Sequence, residues 1–130
     1  MSSDKYKAGE KMRRAVLGDK RVDETMADPD DFARPLMELT TEFAWGTIWT
    51  RPGLDRRTRS FMNLAMLAAL NRPHEIAVHV RGALNNGLTR DEIREVFLHV
   101  LAYCGAPAAI DATAVAKRVF AEIDAESDAS

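Results

Sequence analysis

Glu75 and His79 stand four residues apart, and so do Glu95 and His99. On a helix that spacing sets a carboxylate about one turn from an imidazole on a shared face, where it can orient the ring and raise its proton affinity. An imidazole held this way can act as a general acid or base near neutral pH. The same spacing also produces ordinary solvated ion pairs, so spacing alone leaves both readings open. If the two pairs lie on adjacent antiparallel helices they can converge on one pocket, and the four side chains together could hold a metal ion. His74, next to Pro73 at a helix start, reads as a surface residue.

A second group of residues suits an anion. Arg51, Arg56, Arg57, Arg59, Arg72 and Arg81 supply guanidinium forks that match a carboxylate with two parallel bonds. Arg51, before Pro52, and Arg59, four residues into the next helix, are the best placed, whereas Arg56 and Arg57 read as solvated. Trp45 and Trp49 fall one turn apart if their helix continues, and can wall a ring-binding pocket or anchor an oligomer contact. Tyr103 and Cys104 precede a Gly-Ala-Pro turn; on an apolar stripe Cys104 reads as a small core residue rather than a nucleophile.

These side chains need helices to position them. Tyr6 to Leu17 forms a short amphipathic segment stopped by Gly18, and Val22 to Met26 is ambiguous. Pro29-Asp30-Asp31 opens a helix that runs from about Asp30 toward Trp45, with Pro35 in its first turn. Pro52-Gly53 breaks the chain, and the Asp55 side chain can cap the helix from Arg56 to Leu70, which is apolar on nearly all sides and so belongs in a core or a subunit interface. Pro73 to Asn86 is a helix with proline at its start and Gly87 past its end, its core face being Ile76, Val80, Ala83 and Leu84. Thr89 and Glu92 form a capping box ahead of a stripe of Ile93, Val96, Phe97, Val100, Leu101 and Cys104. The last helix runs from Ala108 to about Ala125, with Ala112, Ala114 and Ala116 permitting close approach, and the acidic tail from Glu126 should fray. No strand alternation is visible, so the fold class is all-α.

At 130 residues, 46% hydrophobic and 29% charged, the chain has the composition of one soluble globular domain, residues 1–130. A net charge of -2 gives no global field favouring nucleic acid. The lone Cys104 rules out an intramolecular disulfide and a CxxC pair, which suits a reducing cytoplasm. No apolar run approaches the ~18 residues of a membrane span, and the N-terminus has no signal-peptide core. The expected protein is cytoplasmic, with neither nucleic acid nor membrane as a partner.

Three blocks carry a family resemblance. The run from Phe43 to Ser60, with its two Trp, Pro52-Gly53 and Arg-rich helix start, closely resembles the signature of γ-carboxymuconolactone decarboxylases. His74-Glu75-Ile76-Ala77-Val78-His79-Val80-Arg81 with Asn85-Asn86-Gly87-Leu88-Thr89, and His99 with Tyr103-Cys104-Gly105-Ala106-Pro107, extend that resemblance over most of the chain. It implies a compact AhpD-like fold of about six helices, a homo-oligomer (trimer or, more specifically, hexamer), and cofactor-independent loss of CO2 from 4-carboxymuconolactone in protocatechuate catabolism. It implies no metal. The roles carried over are His79 as acid with Glu75 orienting it, Arg51 and Arg59 for carboxylate binding, Trp45 for the ring wall, and His99 with Tyr103 for lactone contacts. A relative acting on a substituted muconolactone and a noncatalytic helical binding module are the alternatives. The wider superfamily includes peroxidase-associated disulfide reductases, but aligned on His79 their two cysteines and glutamate become Arg72, Glu75 and Ser60 here, which removes thiol chemistry.

Overall fold

The computed structural model describes residues 3–27 and 30–129. Every regular element among them is helical: seven α-helices and one π-helical segment. They divide into two compact units, Met1–Arg59 and Ser60–Ser130.

In the first unit, α1 (Asp4–Leu17) is capped by Ser3, whose hydroxyl accepts the Tyr6 N–H at 3.0 Å, and it ends where the Gly18 N–H bonds the Arg14 carbonyl. The ambiguous segment forms a second helix, α2 (Asp19–Met26). The guanidinium of Arg14 fastens the corner between them, meeting Asp19 at 3.1 Å and Asp23 at 2.9 Å, and these bonds raise its pKa above the ordinary value. Helix α3 (Arg34–Thr40) carries Pro35 in its first turn, where no backbone donor is missed. It begins four residues later than expected because residues 31–33 form a turn, in which the Phe32 N–H bonds the Asp30 carboxylate at 3.0 Å. Pro29, part of the predicted helix start, lies outside the described residues.

The chain then passes without a break into the π-helical segment Thr41–Ile48, where hydrogen bonds reach back five residues, as from Trp49 N–H to the Ala44 carbonyl at 2.9 Å. Its packing against α1 explains two glycines. A Cβ on Gly9 would lie 2.0 Å from the Thr41 carbonyl oxygen, and one on Gly46 would lie 2.1 Å from that of Lys5. Only hydrogen fits at either point, so α1 and the π segment meet backbone to backbone. Helix α4 (Arg56–Ala69) starts at the expected cap, the Asp55 carboxylate accepting the Thr58 N–H at 2.7 Å. That bond holds Asp55 below the usual carboxylate range.

The second unit contains the remainder of α4 together with α5 (Pro73–Asn85), α6 (Arg90–Cys104) and α7 (Ala106–Asp128). Leu64, Ile76, Val80, Ile93, Phe97 and Val119 are buried at its centre, with Ala68, Ala83, Ala112 and Ala116 where helices come close. Two polar pairs join α4 to α5, Ser60 to Asn86 and Asn63 to His79, and their order along the chain makes the helices antiparallel. The capping box is present in both directions: the Glu92 N–H bonds the Thr89 hydroxyl at 3.1 Å and the Thr89 N–H bonds the Glu92 carboxylate at 3.0 Å.

Two expectations for this unit need correction. Leu101 and Cys104 are exposed: the stripe on α6 is covered only through Val100, Leu101 lies at its rim, and Cys104 is the last residue of the helix, one turn beyond. The end of the chain does not fray at Glu126 but stays helical to Asp128. Arg81 holds Glu126 at 2.9 Å and Glu122 at 3.5 Å, while Arg90 binds Asp124 at 2.7 Å and covers the Phe120 ring at 4.7 Å. Two cations from two helices thus secure the last turns of α7.

Candidate active site

His79 lies half-buried on the face of α5 turned toward α4, and its Nδ1 meets the side-chain amide nitrogen of Asn63 at 2.9 Å. One turn of α4 earlier, Ser60 is almost fully buried and its hydroxyl accepts a bond from the Asn86 amide at 2.9 Å. Ser60 and Asn63 therefore form a polar strip, facing α5, on the part of α4 that is apolar after Arg59. Glu75, one turn before His79, is exposed, and its carboxylate comes within 3.9 Å of His74 Nε2. The ring contact that spacing suggested for Glu75 is made by Asn63 from the neighbouring helix. Asn63 has a legible signal in hindsight: a lone amide within the apolar run from Phe61 to Leu70, three residues after Ser60, has to find a partner when the helix is packed.

His99 and Glu95 border a shallow depression of about 360 Å³ with Phe61, Met62, Ala65 and Val96. The rings of His99 and Tyr103 sit 4.9 Å apart at a 39° tilt, with Tyr103 well exposed. The depression lies along the Phe61 and Ala65 side of α4. At 3.6 residues per turn, Asn63 points about 160° away from both of those residues. His79 and His99 consequently occupy different sides of α4 and do not converge in this unit. Among the described residues, no three His, Cys, Asp or Glu side chains come together as a metal site.

In the first unit, Trp45 is 5% exposed and stacks on the half-buried Trp49, with ring centroids 4.9 Å apart and planes at 25°. The Arg59 guanidinium donates through Nη2 to the Arg51 carbonyl at 3.2 Å, closing the Pro52-Gly53 loop, while its buried Nε has no hydrogen-bond partner. A half-buried guanidinium with an unsatisfied N–H is a donor available to a carboxylate, and Arg51 presents an exposed side chain on the same loop. Arg81, the other partly buried arginine considered for anion binding, is committed to Glu126 and Glu122. Those bonds raise its pKa and make it a structural residue.

Comparisons of the sequence with known proteins show its family. A family model described as the carboxymuconolactone decarboxylase family matches residues 34–118, from the start of α3 into α7. The chain belongs to the carboxymuconolactone decarboxylase family. It is 41% identical to a 4-carboxymuconolactone decarboxylase of Acinetobacter baylyi over 92% of its own length and 89% of the relative's. It is 44% identical to nitrosuccinic acid decarboxylase npaB of Metarhizium robertsii, over 87% of its length and 79% of the relative's. An uncharacterized 15.0 kDa protein of Paracoccus denitrificans is 34% identical over 65% of each chain. The matched range holds every residue proposed above for chemistry: Trp45, Arg51, Arg59, Asn63, Glu75, His79, His99 and Tyr103.

Proposed function

We propose that this chain is a carboxy-lyase that removes CO2 from 4-carboxymuconolactone without a cofactor, giving the β-ketoadipate enol-lactone in the protocatechuate branch of aromatic catabolism in the cytoplasm. The observation that carries this reading is the 41% identity to a 4-carboxymuconolactone decarboxylase across 92% of the chain. The substrate contains its own electron sink: the departing carboxylate sits on the ring carbon conjugated through the double bond to the lactone carbonyl, so the electron pair left by CO2 spreads into a dienolate. What the protein supplies is a clamp for the surviving carboxylate, donors near the lactone oxygen, and an acid that protonates the ring carbon. His79 is the acid, with Glu75, one turn earlier on α5, orienting it. Arg51 and Arg59 clamp the carboxylate, and Trp45 forms the ring wall.

His99 and Tyr103 are assigned to lactone contacts. Since His99 lies across α4 from Asn63, a second copy of this single-domain chain must present them to a His79 pocket, which calls for a closed homo-oligomer, a trimer or hexamer. Exposed Met62 and Met66 on α4 with Leu70 just past its end, and Leu98, Leu101 and Ile110 around a groove of about 670 Å³ between α6 and α7, supply apolar surface for such contacts.

A second substrate is favoured by the 44% identity to nitrosuccinic acid decarboxylase npaB. Nitrosuccinate is also a dicarboxylate with a built-in sink, because loss of CO2 from the nitro-bearing carbon leaves a nitronate. The same clamp and acid serve both. Metal-stripped protein assayed separately with the lactone and with nitrosuccinate tests the assignment, the expected result being undiminished turnover and the higher kcat/KM on the lactone. No turnover of the lactone, or a higher kcat/KM on nitrosuccinate, would overturn it.

A further inference from the structure

The position of Asn63 defines which nitrogen of His79 does the work. A primary amide nitrogen is a donor only, and with that nitrogen turned toward Nδ1 at 2.9 Å the tautomer that suits the contact is the one in which Nδ1 accepts. With Nδ1 accepting, the proton of the neutral ring resides on Nε2. The backbone that carries the amide is fixed: the bond between Ser60 and Asn86 ties α4 to the end of α5 one turn away, and Leu64, the next residue along α4, is fully buried. We propose that Asn63 is the positioning residue of His79, holding the ring through Nδ1 so that Nε2 carries the transferable proton. When the ring takes up a second proton at Nδ1, rotation of the amide presents its oxygen as acceptor, so the same residue supports both protonation states. The doubly protonated ring is the acid: its Nε2 proton passes to the substrate carbon in place of the CO2 lost, the ring is left neutral with its proton on Nδ1 against the amide oxygen, and one proton taken from solvent at Nε2 restores the acid. The catalytic part of the inference rests on His79 being the acid; the tautomer does not.

The test is long-range 1H–15N correlation of the histidine rings in the full chain, with His79 identified by comparison with His79→Gln, for wild type, Asn63→Ala and the isosteric Asn63→Asp. The expected wild-type spectrum shows His79 protonated on Nε2. Asn63→Ala should give a mixture of tautomers. Asn63→Asp, which can only accept, should move the proton to Nδ1 and keeps the test decisive if the Ala variant does not fold. Turnover of the lactone by the Ala variant should fall on the order of 10²-fold in kcat with KM within about twofold, since a misplaced proton donor hurts the chemical step more than binding. A wild-type ring protonated on Nδ1, or tautomers unchanged in both variants, would overturn the inference. Tautomers that shift as expected in a protein inert toward the lactone would leave the role of Asn63 on His79 standing and bring down the decarboxylase reading instead.

Discussion

Two helix pairs in this molecule meet in opposite ways. In the first unit α1 and the π segment approach until only hydrogen fits at Gly9 and Gly46, where backbone meets backbone. In the second, α4 and α5 are spaced by side chains that bond across the seam, Ser60 to Asn86 and Asn63 to His79. The first arrangement brings backbone into close contact and leaves no room for any side chain at those two points. The second keeps polar atoms at hydrogen-bond distance in a half-buried setting, where an imidazole can be oriented and still exchange protons. A close backbone contact is a stability device, and a polar seam is where chemistry can be done.

The comparison can be broken by variants on each side. The largest effect belongs to the seam: His79→Ala should lower kcat on the order of 10²–10⁴-fold, as removal of a general acid does, with the melting temperature nearly unchanged. Near-wild-type kcat would remove His79 from the mechanism. Next is Gly46→Ala, whose methyl meets the Lys5 carbonyl; a loss of about 3 kcal/mol in urea unfolding is expected, at the upper end for overpacking because the obstacle is backbone. A loss below about 1 kcal/mol would mean that the two helices separate freely.

Smaller effects sharpen the contrast. Arg59→Lys keeps charge but loses the fork, and should raise KM for the lactone several-fold while weakening inhibition by the product, which retains the clamped carboxylate. Unchanged KM and product affinity would place the clamp elsewhere. Ser60→Ala removes one bond across the seam and should cost about 1 kcal/mol on chemical denaturation; no measurable loss would show that the pair sets geometry alone.

The smallest effect is one of pH. Arg90 binds Asp124 and lowers its pKa below the ordinary carboxylate value. Its contribution is therefore fully present above about pH 4, the unfolded value, and is lost as pH falls through the lower folded one. Melting curves below that pH should be less steep in pH for Asp124→Asn than for wild type, and identical slopes would mean that the α7 clamp contributes nothing.

Much of this was legible before the structure. Pro73, Gly87 and the Thr89 and Glu92 box mark helix ends through fixed backbone chemistry, so α5 and α6 appear where the sequence predicts them. The π segment was not legible, because a five-residue hydrogen-bond span leaves no residue-type signature in Thr41–Ile48 and is set by packing against α1. The resemblance singled out His79 and Glu75, and Asn63 also meets the ring, which local spacing could not reveal because it comes from another helix. Likewise the acidic tail looked unanchored only because Arg81 and Arg90, far away in sequence, supply its counter-charges.

The π segment also changes how the chain keeps count. In an α-helix a residue four positions on overshoots a full turn by about 40°. The wider π winding reduces that overshoot, and the indole of Trp49 comes to rest on that of Trp45 at 25° between planes. A deletion of one residue within Thr41–Ile48 would therefore be felt as a change of phase more than of length. Return to the tighter winding would swing Trp49 and the loop bearing Arg51 around the axis, carrying an aromatic wall and a cation to a new azimuth without altering a single one of their side chains.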